Sequence, residues 1–232
     1  MLALITGATK GIGRAIVESL SKEGYDIIAI SSSKENLETL KNEIELKYRN
    51  QCYVIAGDLT SSASRIELIK NLTPHLENIH VLVNNFGKYS VGNLEEESSN
   101  SIQELFHANF LSAFEISQAL IPFFKKNKKG YIFNILSVLA KEVRTAAAAY
   151  TISKHALKAL NDLLREELRP YSIKVCAIYP GSVNTPSWDG ISANRESMVQ
   201  PNDIADFIKN SVAGSKHSFV EEITFRPLDP SL

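Results

Sequence analysis

The sequence is poor in the residues that mark a stapled, metal-bound or membrane-inserted chain. Its 232 residues hold only 2 cysteines, Cys52 and Cys176. Each lies in a short apolar run and neither has a Cys-x-x-Cys or Cys/His spacing, so neither a disulfide framework nor a metal site is expected. No apolar run is long enough to cross a bilayer. The amino terminus enters Leu2-Ala3-Leu4-Ile5 with no charged leader before it, which predicts no signal segment and a cytoplasmic location. An excess of one charge is missing too: 25 Lys and Arg stand against 26 Asp and Glu, a formal net charge of -1. That balance offers no footprint for nucleic acid or an anionic membrane surface. The lysine-rich run Lys125-Lys126-Asn127-Lys128-Lys129 falls where a long helix should end, and cations there complement the helix dipole. Small-molecule chemistry is the function class left standing.

What is present is a 44% hydrophobic chain of a length that suits one α/β domain. Short apolar runs predict strands at Leu2 to Thr6, Ile27 to Ile30, Tyr53 to Ala56, Val81 to Val83, Tyr131 to Ile135, Val175 to Tyr179 and Phe219 to Ile223. Helical spacing predicts helices over Gly11 to Lys22, Lys34 to Lys47, Ser62 to Leu72, Ile102 to Phe124, Ala149 to Leu168 and Asp203 to Val212. Alternating helices and continuously apolar strands predict a single Rossmann-type domain: a doubly wound parallel sheet of about seven strands with helices on both faces.

The first predicted strand runs into Thr6-Gly7-Ala8-Thr9-Lys10-Gly11-Ile12-Gly13, with a helix starting at the last two glycines. Such a turn lets backbone N–H groups approach a pyrophosphate at a helix N-terminus. The end of the second predicted strand reads Ile30-Ser31-Ser32-Ser33-Lys34. An NAD-binding fold usually has an acid there for the ribose 2′-hydroxyl. Hydroxyls, with Lys34 and with Lys10 across the turn, suit a 2′-phosphate instead. The cofactor expected is therefore NADP(H), with Ser32 and Ser33 among its ligands, although Ser33 also has the character of a helix N-cap.

Tyr150-Thr151-Ile152-Ser153-Lys154 opens a strongly helical segment, so Tyr150 and Lys154 stand one turn apart on one face. A phenol near pKa 10 is a poor acid-base group at neutral pH unless neighbouring positive charge favours its anion. Ser137 follows a predicted strand at the carboxyl end, where open α/β sheets bind ligands.

With these motifs together the sequence resembles the short-chain dehydrogenase/reductase family over essentially its whole length. The turn Thr6 to Gly13 is similar to the family's glycine motif, Asp58-Leu59 to its adenine-side turn, and Asn84-Asn85-Phe86-Gly87 to its Asn-Asn-Ala-Gly strand end. Asn109, Ser137, Tyr150 and Lys154 match the catalytic tetrad, and Pro180-Gly181-Ser182-Val183-Asn184-Thr185 the segment flanking the nicotinamide. The resemblance, extending to 3-oxoacyl-acyl-carrier-protein reductase-like members, implies Tyr150 as proton donor to a carbonyl and Ser137 as the partner that positions its oxygen. It implies Lys154 as ribose ligand and depressor of the tyrosine pKa, and the backbone near Asn109 as the seat of a relay water. Val183 and Thr185 would meet the carboxamide. Two departures stand out: Phe86 replaces a small alanine, read as packing, and the loop from Val138 to Thr145 lacks the usual glycines.

The expected activity is NADP(H)-dependent reduction of a ketone, aldehyde or 3-oxoacyl group, with quinones and sugars also open as substrates. The competing readings are a redox-inert nucleotide sensor or scaffold and an NAD-dependent alcohol dehydrogenase. Residues 186–201, with Trp188, Ile191 and Met198, form the expected substrate lid. The apolar residues on more than one face of the two longest helices predict a homodimer or homotetramer.

Overall fold

The computed structural model describes residues 1–214 and 217–229. Its strands are β1 (Leu2–Thr6), β2 (Asp26–Ser31), β3 (Cys52–Ala56), β4 (Ile79–Asn84), β5 (Gly130–Ile135), β6 (Ile173–Pro180) and β7 (Glu222–Phe225). Its α-helices are α1 (Gly11–Lys22), α2 (Lys34–Tyr48), α3 (Ser62–Leu72), α4 (Ser99–Phe106), α5 (Ser112–Asn127), α6 (Ala148–Leu168) and α7 (Pro201–Ala213). The strands form one sheet in the order β3-β2-β1-β4-β5-β6-β7, every neighbouring pair parallel. The doubly wound parallel sheet is as expected.

Alternation of side chains along each strand divides the core in two. Leu4, Ile28, Leu82, Ile132 and Val175 face α3, α5 and α6. Their neighbours Ile5, Ile27, Val83, Phe133 and Cys176 face α1, α2 and α7. Both faces are covered, which is why the strands read as unbroken apolar runs. Chain order reverses direction across the sheet at β1, flanked by β2 and β4. In open α/β sheets, ligands bind in the crevice outside the carboxyl ends of the strands at this switch point.

Two expected elements need correction. The single helix over Ile102 to Phe124 is instead α4, a wider π-type turn over His107–Leu111, and α5. A π-turn inserts one residue into a helix without disturbing the apolar stripe on either side, so periodicity reads straight through it. The last strand begins at Glu222, not Phe219. Phe219 lies over Tyr131 and Phe133, with ring centroids 6.0 and 6.1 Å away; its apolar character serves that aromatic cluster and not a ladder.

The lysine run ends α5, where Lys128 takes a left-handed cap, Lys125 pairs with Glu167 and Lys126 with Glu77. Both cysteines are buried. Among the described residues no helix is long and apolar enough to cross a membrane.

Candidate active site

The turn after β1 is built for close approach. Gly7 has φ +64°, open to glycine at no steric cost, and a β-carbon on Gly13 would stand 2.2 Å from the Gly7 carbonyl oxygen. Thr6 holds the neighbouring strand end, accepting from the amides of Asn85 at 3.0 Å and Phe86 at 2.9 Å. Asn85 reaches back, its Nδ2 donating to the carbonyls of Thr6 at 2.9 Å and Gly7 at 3.2 Å. The side chain of Asn85, expected at the cofactor, thus braces the turn. Lys10, at the N-cap of α1, is exposed, and Gly11 and Ile12 are partly open.

At the adjoining end of β2, Thr9 Oγ1 and Ser31 Oγ are 3.0 Å apart. Ser31 was missed in the sequence because three serines in a row carry no sign of which one faces the turn. Ser32 is exposed, and Ser33 caps α2 by accepting from Asn36 N at 3.2 Å. The Ser33 hydroxyl is therefore engaged as a cap, and the hydroxyl beside the turn belongs to Ser31.

Beyond β3, Asp58 accepts from the amide and hydroxyl of Thr60 at 2.9 and 2.7 Å. These bonds hold its carboxyl below the usual range. Leu59 is buried, and its carbonyl accepts from Arg65. On the far side, Gly181 N donates to Phe225 O at 2.7 Å, and Val183 bridges to Val199. Thr185 closes on the glycine turn: a β-carbon at Gly11 would lie 2.9 Å from Thr185 Cγ2. Pro180, the last residue of β6, leads into this segment.

The stretch expected to form a lid is fastened at its base. Arg195 donates to Asn184 Oδ1 at 2.7 Å, to Thr185 O at 2.8 Å and to Asp189 Oδ1 at 2.8 Å. Met198 is buried and belongs to the anchor, whereas Ile191 is exposed.

Ser137, Tyr150, Lys154 and Asn109 converge at the carboxyl ends of β4 and β5. Ser137 is buried, accepts from Leu139 N at 3.1 Å, and stands close enough to the Tyr150 phenol to favour its anion. Lys154 Nζ donates to the Ile135 carbonyl oxygen at 2.9 Å and stands 5.7 Å from the centroid of the Tyr150 ring. Asn109 sits in the π-turn. Its Oδ1 accepts from Lys88 N at 2.8 Å, while its Nδ2 donates to Lys88 O and to Ser153 Oγ, each at 2.9 Å. It thus ties the loop after Gly87 to α6.

Burial shifts both groups of the Tyr150–Lys154 pair. Loss of water around the phenol pushes Tyr150 up to about 12, against a smaller downward effect from Ser137. Burial brings Lys154 down to about 7. Burial thus works against the charged form of both groups, the phenolate of Tyr150 and the ammonium of Lys154.

Phe86 packs against the apolar core, as read from the sequence. Two site residues escaped that reading. Tyr89 meets the Tyr150 ring edge-on, centroids 4.9 Å apart at 74°, and Glu97 accepts from Ala149 N at 3.4 Å, where α6 has no side-chain cap from its own N-cap residue. Both lie in an irregular loop, where no periodicity marks a residue's direction.

A nucleotide-sized turn at a topological switch, beside a Ser-Tyr-Lys-Asn cluster, defines a dinucleotide-dependent oxidoreductase site on a Rossmann-type sheet. The family model of the short chain dehydrogenases matches residues 1–196, and the chain belongs to that family. An uncharacterized oxidoreductase of Staphylococcus epidermidis is 28% identical over 227 residues, covering 98% of this chain and 97% of that protein. Among solved structures, a metagenomic short-chain oxidoreductase in complex with NADP is 29% identical, with a TM-score of 0.84 and coverage of 98% and 97%. An alcohol dehydrogenase of the archaeon Thermococcus sibiricus complexed with 5-hydroxy-NADP superposes with a TM-score of 0.89 at 24% identity, covering 98% of this chain and 96% of that one.

Proposed function

We propose that this oxidoreductase uses NADP(H) to reduce a carbonyl compound to an alcohol, with Tyr150 as the proton donor. The observation that carries the reading is the convergence of the buried Ser137 hydroxyl and the Tyr150 phenol, whose acidity Ser137 raises, with Lys154, its Nζ 5.7 Å from the Tyr150 ring, at the ligand-binding end of the sheet. Two hydroxyls converging there can both address one carbonyl oxygen.

The glycine turn fits a dinucleotide: Gly7, Gly11 and Gly13 leave room that β-carbons would fill. Thr9 and Ser31 would take the 2′-phosphate, with Lys10 and Ser32 at its rim, since no acid stands there to repel it. Val183 and Thr185 would flank the nicotinamide, and Lys154 and Tyr150 its ribose. The bound cofactor supplies the hydride. Ser137 orients the substrate oxygen, Tyr150 passes its phenolic proton to that oxygen, and Lys154, reached through the Asn109 region, restores the proton. NADP in the metagenomic neighbour and 5-hydroxy-NADP in the archaeal one support the cofactor. The segment from Pro186 to Ser197 would act as the lid, hinged at its Arg195 anchor.

The test is a panel of ketones, aldehydes, 3-oxoacyl thioesters, quinones and sugars assayed by NADPH oxidation, with NADH in parallel. Carbonyl-dependent oxidation of NADPH is expected. Tight NADPH binding with no turnover on any carbonyl would instead favour the sensor, and faster turnover with NADH would favour the NAD-dependent enzyme.

A further inference from the structure

Three loops leave the carboxyl ends of β4, β5 and β6. Exposed large apolar side chains stand on all of them: Tyr89, Val91 and Leu94 after β4, Val143 after β5 and Ile191 after β6. Of these, Tyr89 packs edge-on against the ring of Tyr150. It spends one part of its ring on Tyr150, at 4.9 Å, yet the residue remains 53% exposed. An aromatic side chain is costly to leave in water, and this one is not held there by a loose backbone. Asn109 grips the adjoining Lys88 through both its amide and its carbonyl. Three residues on, Gly92 exchanges hydrogen bonds of 3.0 Å with Ala146 O and Ala148 N. Tyr89 is thus clamped from both sides beside the place a substrate carbonyl must occupy.

Charge on the same loops is largely consumed within the protein. Lys88 pairs with Glu104 at 2.5 Å, Lys141 with Glu222 at 2.7 Å and Arg195 with Asp189 at 2.8 Å. Glu142 pairs with Arg226. Among the described residues of these loops Arg144 is the one cation with no counter-ion, and it is fully on the surface. A carboxylate or phosphate on the substrate would find no built partner, whereas a flat apolar group would find the free face of Tyr89.

Resting on the reductase reading above, we propose that the substrate is an uncharged carbonyl compound with an aryl group next to the carbonyl, and that Tyr89 selects it by stacking. The substrate's ring replaces water on a surface that is already ordered, so little rotamer entropy is lost on binding. Tyr89 is a specificity residue; its own hydroxyl takes no part in the chemistry.

The experiment compares kcat/KM for benzaldehyde with that for cyclohexanecarbaldehyde, using NADPH, in wild type, Tyr89→Phe and Tyr89→Leu. Differences in intrinsic reactivity cancel when the ratio is compared between proteins. The aryl-to-alicyclic ratio should fall about two- to tenfold in Tyr89→Leu, the range expected for one aromatic contact, and persist in Tyr89→Phe. 4-Carboxybenzaldehyde should be a poorer substrate than benzaldehyde. The same ratio in the leucine variant, or a preference for the carboxylated aldehyde, overturns the proposal. Turnover with an unchanged ratio removes Tyr89 and leaves the reductase reading intact. If neither aldehyde is turned over, calorimetry of benzyl alcohol and cyclohexylmethanol binding to the NADPH complex decides: selective loss of the benzyl alcohol in Tyr89→Leu upholds the stacking, and equal loss or none overturns it.

Discussion

Lys154 Nζ gives its hydrogen bond to the carbonyl oxygen of Ile135, 2.9 Å away, while the phenol of its neighbour Tyr150 lies by Ser137. The two halves of the expected acid-base pair therefore face different groups, the lysine the last carbonyl of β5 and the tyrosine Ser137, two residues beyond the strand end. Burial moves their pKa values in opposite directions, to about 7 and about 12. Burial thus favours the neutral form of each group, most strongly for the tyrosine at neutral pH.

Tyr150→Phe removes one hydroxyl and keeps the ring that packs against Tyr89. Carbonyl reduction should fall by about two orders of magnitude or more, with NADPH affinity retained. Equal turnover in variant and wild type would show that the phenol moves no proton. The direction of its shift also sets a pH profile. With the phenol pushed up to about 12, the acid form persists across the working range, so kcat/KM for reduction should show no alkaline loss from Tyr150 below about pH 10. Alcohol oxidation, which needs the phenolate, should rise with pH over the same interval.

For Lys154 the folded value, about 7, lies below the ordinary 10.5. Below about pH 7 the amine is charged in both folded and unfolded chains, and the folded state carries the whole cost of burying that charge. Between 7 and 10.5 the unfolded chain holds a proton that the folded one has lost, so stability rises with pH. Lys154→Met should therefore melt higher than the wild type at pH 7 without nucleotide, with a difference that shrinks toward pH 10. A difference that stays constant or widens contradicts a depressed lysine. The same variant should bind NADPH more weakly, having lost a ribose ligand.

The cofactor preference should follow the hydroxyl pair Thr9 and Ser31. NADPH should bind at least about tenfold more tightly than NADH, a loss of phosphate contacts on the order of 1.4 kcal/mol. Ser31→Asp and Ser32→Asp should each erode that ratio by setting like charge against the phosphate, with Ser31→Asp the stronger because its hydroxyl faces the turn. Fluorescence titration with both nucleotides measures this, and an unaltered ratio in both variants would place the phosphate elsewhere.

Half-buried Phe106, Phe110 and Phe114 run in a row from α4 through the π-turn to α5, with ring centroids 5.9 and 6.1 Å apart, and α6 exposes Ile152 and Leu163. Light scattering should give a mass of two or four 25.7 kDa chains at micromolar concentration. Leu163→Glu should shift that assembly toward the single chain. A wild-type mass of one chain would refute the pairing.

The sequence by itself determined the sheet, the glycine turn and the Tyr150–Lys154 spacing, because each is written in local pattern. Apolar runs mark strands buried on both faces, three glycines at fixed offsets mark a tight turn, and an i, i+4 interval puts two side chains on one face. Only the tertiary structure decided which serine faces the turn, that Asn85 braces it, that Asn109 sits in a π-turn, and that Tyr89 and Glu97 stand beside the start of α6. Those facts depend on where irregular backbone crosses in three dimensions, and a chain read one residue at a time holds no record of that. The direction of the Tyr150 shift is of the same kind: a charged neighbour is legible as spacing, but the water removed from around both groups is a property of the packed core.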